Sequence, residues 1–144
     1  MNPVWLLVPI LVGIGHPVFL QMSVRMSRVV GEMEAAVVLH VAGAFIGLLW
    51  MGVGLRGDGL SFIGQVPWWA YLAAVIGVTS LAAVNWTLPI IGVATFCALA
   101  VASQLIVALL FDRYGLMGAE VRHVGLSHWV GVSMLVGGAF LVSR

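Results

Sequence analysis

Five side chains that could do chemistry, or disturb a helix, stand inside runs that are otherwise apolar. They are His16, Pro17 and Gln21 in "GIGHPVFLQ", His40 in "VVLHVAGAF" and Gln104 in "ASQLIVALL". Proline 17 has no amide hydrogen and its ring crowds the carbonyl of Gly13, so a helix here is expected to bend and free that carbonyl. Gly13, Pro17 and Gln21 are spaced by four and share a face, while His16 shares the adjacent face with Ser23, seven residues on. A bent helix that offers a carbonyl and an imidazole suits the wall of a polar cavity. The same residues would also make a plain structural kink, with His16 bonded to a backbone carbonyl.

His40 stands on a stripe with Ala36, Gly43, Gly47 and Gly54, and Gly43 with Gly47 forms a small-xxx-small pair that lets a second helix approach closely. That stripe points His40 at protein rather than at lipid, either as a packing residue or as a carrier of substrate or protons. Gln104 shares a face with Cys97, Ala100 and Ala108. An amide at that depth must bond across helices or line water, because an unpaired amide in hydrocarbon costs about 2–7 kcal/mol. No Asp or Glu falls in the middle of any apolar run. An exchange of protons for substrate on a buried carboxylate is therefore excluded, and proton coupling would rest on His16 or His40.

These residues need a scaffold, and composition says which kind. The chain has 144 residues, 62% of them hydrophobic and 8% charged, with a mean hydropathy of +1.16. Soluble domains carry about 25% charged residues, so this is an all-α integral membrane protein whose partner is the lipid bilayer. Its net charge of +1 gives no reason to expect nucleic acid. The single cysteine, Cys97, rules out an intramolecular disulfide. His123 and His128 flank a loop without carboxylate-rich metal spacing, so neither metal nor cofactor is expected. The start, "MNPVWLLVPI", lacks a basic n-region and a small-residue cleavage site, so the first run is expected to be retained.

A spanning helix takes about 20 apolar residues. Five segments meet that length, roughly 3–23, 33–55, 67–88, 90–111 and 125–142, as a single transmembrane domain over 1–144. Loops are expected at "SVRMSRVVGEME", "RGDGLSFIGQV" and "DRYGLMGAEVRHVGLSH", with a sharp turn at Leu88–Pro89. Glu32 and Glu34 open the second helix, where carboxylates suit the positive end of its dipole. Trp68, Trp69, Tyr71 and Trp129 read as interface anchors, and Asn85, Trp86 and Thr87 as cap and anchor at the end of the third helix. Asp112 and Arg113 are expected just beyond the fourth.

Five spans put the termini on opposite sides. Arg56, Arg113 and Arg122 then face one side and Arg25, Arg28 and Arg144 the other, a tie of three against three. Since an excess of basic residues normally sets orientation, a tie leaves insertion undirected. It fits a chain that inserts both ways and pairs with an inverted copy, as in transporters built of inverted repeats. It fits equally a chain with too few charges for the count to matter.

The sequence resembles the YdcZ-like inner-membrane exporters, the half-size, five-helix branch of the drug/metabolite transporter superfamily. The likeness runs over nearly the whole length and is strongest in "PWWAYLAAVIGV", "LPIIG" and "SQLIVALLFDRYGLMG". Gln104, Leu105, Asp112, Tyr114, Gly115 and Leu116 carry the pattern, and the glycine-rich "VGVSMLVGGAFLV" follows it. The first third departs, with Phe19 and Ser23 where the family favours glutamine and asparagine, and His40 where a small polar residue is usual.

The resemblance implies half of a ten-helix inverted-repeat transporter in the bacterial inner membrane. The expected function is movement of a small metabolite or drug-like molecule by alternating access, as an antiparallel homodimer, with no enzymatic activity. His16, Pro17, Gln21, His40 and Gln104 are the expected substrate contacts, and His16 and His40 the expected proton carriers. A non-transporting subunit of a heteromeric complex is the alternative, and a haem held by two histidines a more distant one.

Overall fold

The computed structural model describes residues 4–54 and 57–144, so positions 3, 55 and Arg56 of the expected helices and arginine tie lie outside the described residues. The described residues form five α-helices: α1 (Val4–Val30), α2 (Glu32–Gly52), α3 (Leu72–Ile91), α4 (Val93–Tyr114) and α5 (Leu126–Val142). Short 3₁₀ segments lie at Asp58–Gln65, Trp68–Tyr71 and Leu116–Gly118. Among the described residues four helical stretches are long and apolar enough to cross a membrane: Leu6–Val30, Glu32–Gly52, Trp68–Ile91 and Val93–Tyr114. The fifth, α5, is apolar but only 17 residues long.

Two expected connections are corrected. The first loop does not exist: α1 continues to Val30, so Arg25 and Arg28 stand on its last turns and Gly31 alone separates it from α2. The expected turn at Leu88–Pro89 is also absent. Helix α3 runs through Pro89 to Ile91, and Gly92 alone separates it from α4, which is shifted three residues along the chain and holds Asp112 and Arg113 in its last turn. A proline near a helix end forfeits a single backbone bond, whereas a change of backbone hand ends the helix outright. Gly31 has φ 100 and ψ 157, and Gly92 has φ 81 and ψ 159, conformations essentially reserved for glycine. Each follows a β-branched pair, Val29–Val30 and Ile90–Ile91.

The chain divides into two compact units, residues 1–89 and 90–144. In the first, α1 packs on α2. Its apolar centre is Ala36 against Leu81 and Ala82, with Leu39 and Val78 beside them. Small residues let α2 and α3 come close, and Ala35 and Ala36 are fully buried. In the second unit α4 packs on α5. Ala102, Leu109, Val132 and Ala139 are its buried residues, and Thr95 Oγ1 donates to the Val142 carbonyl at 3.4 Å. The long second loop is a 3₁₀ segment rather than irregular chain, tied back by Tyr71 Oη donating to the Ile63 carbonyl at 3.3 Å.

Candidate functional site

The buried polar centre of the first unit lies where three helices meet. Asn85 of α3 accepts a hydrogen bond from Ser23 Oγ of α1 at 2.7 Å and donates one to the Glu32 carbonyl, at the start of α2, at 2.9 Å. Ser23 and Asn85 are 0% and 2% exposed. Ser27, one turn beyond Ser23, bonds back to the Val24 carbonyl. A buried amide bonded through both its oxygen and its nitrogen holds its neighbours in one register. The reading of Asn85 as a helix-end cap is therefore corrected, because α3 runs on past it. An asparagine in an apolar run was the available signal, and the misplaced turn at Pro89 hid it.

From this centre α2 and α3 run antiparallel. Glu32 pairs with Asn85, Ala36 with Leu81 and Ala82, and His40 lies against Gly77. His40 Nδ1 is 2.8 Å from the Ala36 carbonyl, one turn back on its own helix. A carbonyl oxygen can only accept, so Nδ1 carries the hydrogen and donates. The other ring nitrogen, Nε2, lies 3.2 Å from where a Cβ on Gly77 would stand. His40 thus touches α3 at Gly77, yet its side chain is exposed rather than enclosed by protein as its stripe predicts. Farther along that stripe Gly43 and Gly47 meet nothing within 4 Å, so among the described residues no helix makes the expected close approach there.

The α1 candidates are less enclosed. The helix runs on through both Pro9 and Pro17, which is half-buried. His16 is exposed, with its ring tilted toward Phe19 at a centroid distance of 6.2 Å. Gln21 is exposed, at the flank of the buried stripe of Leu20, Ser23, Val24 and Ser27. In the second unit Gln104 lines an open groove of about 400 Å³ on α4 with Ser103, Val107, Ala108 and Phe111. Ser103 bonds back to the Ala100 carbonyl, while the Gln104 amide makes no hydrogen bond among the described residues. The groove is uncharged, so it would hold a neutral group through amide hydrogen bonds and apolar contact.

The remaining histidines play other parts. His128 Nδ1 accepts the Gly125 amide hydrogen at 3.2 Å and so caps the start of α5. Among the described residues no group of three or more His, Cys, Asp or Glu side chains could hold a metal ion. The ion pair of Arg122 with Glu120, at 3.9 Å, is exposed.

Residues 4–141 match the protein family described as "Putative inner membrane exporter, YdcZ". The chain is 31% identical over 135 residues to the inner membrane protein YdcZ of Escherichia coli strain K12, covering 92% of this chain and 89% of that protein. No solved structure matches.

Proposed function

This chain belongs to the YdcZ family of inner-membrane exporters, and from that premise we propose that it is the subunit of a transporter. It is a multi-pass inner-membrane protein. In our reading two copies assemble, one inverted relative to the other, and move a small metabolite or drug-like molecule by alternating access without chemical conversion. The short, apolar α5 is read as the fifth span.

The observation that carries this reading is the family match over almost the entire chain, 4–141. A second supports it: polar side chains inside apolar helices stay open to their surroundings. His16, Gln21 and Gln104 are exposed, and the Gln104 amide is without a partner among the described residues. In hydrocarbon such groups are costly, and a ligand, water or a second copy would satisfy them. His16, Pro17, Gln21, His40 and Gln104 are the proposed substrate contacts, with His16 and His40 as the proton carriers.

Reporters fused to the C-terminus and active on only one side of the membrane test the assembly. Signal from both sides is expected. Signal from one side alone would replace the inverted homodimer with a fixed subunit that needs another chain. Substrate export by the His16→Ala variant, followed as a function of pH, tests the coupling role. An unchanged profile at full activity would remove His16 from it.

A further inference from the structure

Within α2 the structure fixes the His40 ring by a hydrogen bond, and its two nitrogens have different fates. Nδ1 gives its hydrogen to the Ala36 carbonyl at 2.8 Å. That carbonyl already sits in a helix, and the imidazole bonds it from one turn farther along. With Nδ1 occupied as a donor, a neutral ring has its lone pair on Nε2. This nitrogen faces α3 where the chain has no side chain, 3.2 Å from the position a Gly77 Cβ would take. A methyl group there would crowd Nε2, so the glycine lets the ring lie against α3, while the residue itself stays exposed.

We propose that His40 holds its neutral ring as the Nδ1–H tautomer, and that Nε2 beside Gly77 is a hydrogen-accepting site. It takes either a proton or the N–H or O–H of a small molecule, one at a time. A single lone pair cannot serve both, because a protonated Nε2 has become a donor. The two sources share one chemistry, hydrogen delivered to Nε2, and exclude each other there. This deepens the exporter reading and rests on it for its purpose, although the tautomer and the site are tested without any transport assay.

The electrostatic surroundings are sparse. Helix α3 carries no ionisable side chain over Leu72–Ile91. On α2 itself only Glu32 and Glu34 ionise, eight and six residues toward the Asn85 end. At 1.5 Å per residue this places their backbone about 12 and 9 Å along the helix from His40. On α1, packed against α2, the ionisable groups are His16, Arg25 and Arg28, and none makes an ion pair among the described residues.

The experiment is nitrogen NMR of the full chain in lipid bilayers with ¹⁵N-labelled histidine. The His40 signals are identified by their loss in His40→Gln, among four histidines in all. Spectra recorded over about pH 5 to 8, where imidazoles change charge, read the proton as ligand. Benzamide, which has N–H donors, and N,N-dimethylbenzamide, which has none, read the small-molecule source at the upper end of that range.

At high pH the expected spectrum shows a hydrogen-bearing Nδ1 and a bare Nε2, with Nε2 gaining hydrogen as pH falls. Movement of the Nε2 signal by benzamide and not by its dimethyl analogue adds the small-molecule source; movement by pH alone assigns the site to the proton. A neutral ring bearing hydrogen on Nε2 would overturn the proposal. So would an Nε2 signal that neither pH nor benzamide moves. Gly77→Ala, a change that helices favour, is expected to shift the Nε2 signal while leaving helix content unaltered. An unmoved signal in that variant would overturn the role given to Gly77.

Discussion

The two helix breaks share a backbone and differ in their surroundings. Gly31 and Gly92 each stand alone between two long helices, each behind a β-branched pair, with φ and ψ within about 20° of one another. Around Gly31 the chain is crowded: a Cβ would meet the Glu34 carboxylate, and the next residue, Glu32, gives its carbonyl to Asn85. Around Gly92 a Cβ would meet nothing within 4 Å. The same local conformation is therefore locked by a neighbouring helix at one break and set by local backbone preference at the other. Where a turn is locked, its geometry belongs to the packed unit; where it is not, it belongs to the sequence around it.

Four single substitutions, and one added in the Gly31→Ala background, break or sharpen this contrast, with the singles taken from the largest effect downward. Asn85→Leu keeps the branched outline but leaves Ser23 Oγ without its acceptor and the Glu32 carbonyl without its side-chain donor. It should destabilise the first unit by about 2–4 kcal/mol, since each orphaned buried polar group costs about 1–3 kcal/mol. Thermal unfolding in detergent measures this, and a loss no larger than that of Ser23→Ala would refute the central place of Asn85. Gly31→Ala should cost about 1–3 kcal/mol from backbone strain alone, and somewhat more because Glu34 must move. Gly92→Ala should lose the strain component only, again about 1–3 kcal/mol but less than Gly31→Ala in the same assay. Equal losses would mean that the crowding at Gly31 has no energetic weight, and Glu34→Ala in the Gly31→Ala background should narrow the gap. Ser23→Ala should cost the least, about 1 kcal/mol for one hydrogen bond. It should be strongly non-additive with Asn85→Leu in a double-mutant cycle, because the two side chains share one interaction.

Among the functional candidates the same divide holds. Sequence spacing placed His40 on a stripe with Ala36, and the structure joins the two by a hydrogen bond. Sequence also isolated Gln104 with Ala108 on one face, and both line the α4 groove. Asn85 reads from sequence as a cap because its part in packing depends on Ser23, 62 residues away, and on a backbone carbonyl, which no residue type announces. No motif marks His128 as a cap, because its bond to the Gly125 amide is a matter of geometry.

What the sequence by itself determined is the solvent, the element type and the family. A chain with 62% hydrophobic and 8% charged residues in long unbroken runs must be helical in lipid, since only there are all backbone groups satisfied within each segment. What only the tertiary structure decided is where those helices end and which polar atoms meet. Proline looked like the turn, yet it costs one bond near a helix end, while glycine alone could take the backbone hand at 31 and 92. Likewise the choice of Nδ1 as donor, and so of Nε2 as the open nitrogen of His40, follows from a distance to one carbonyl. No pattern of letters contains that distance.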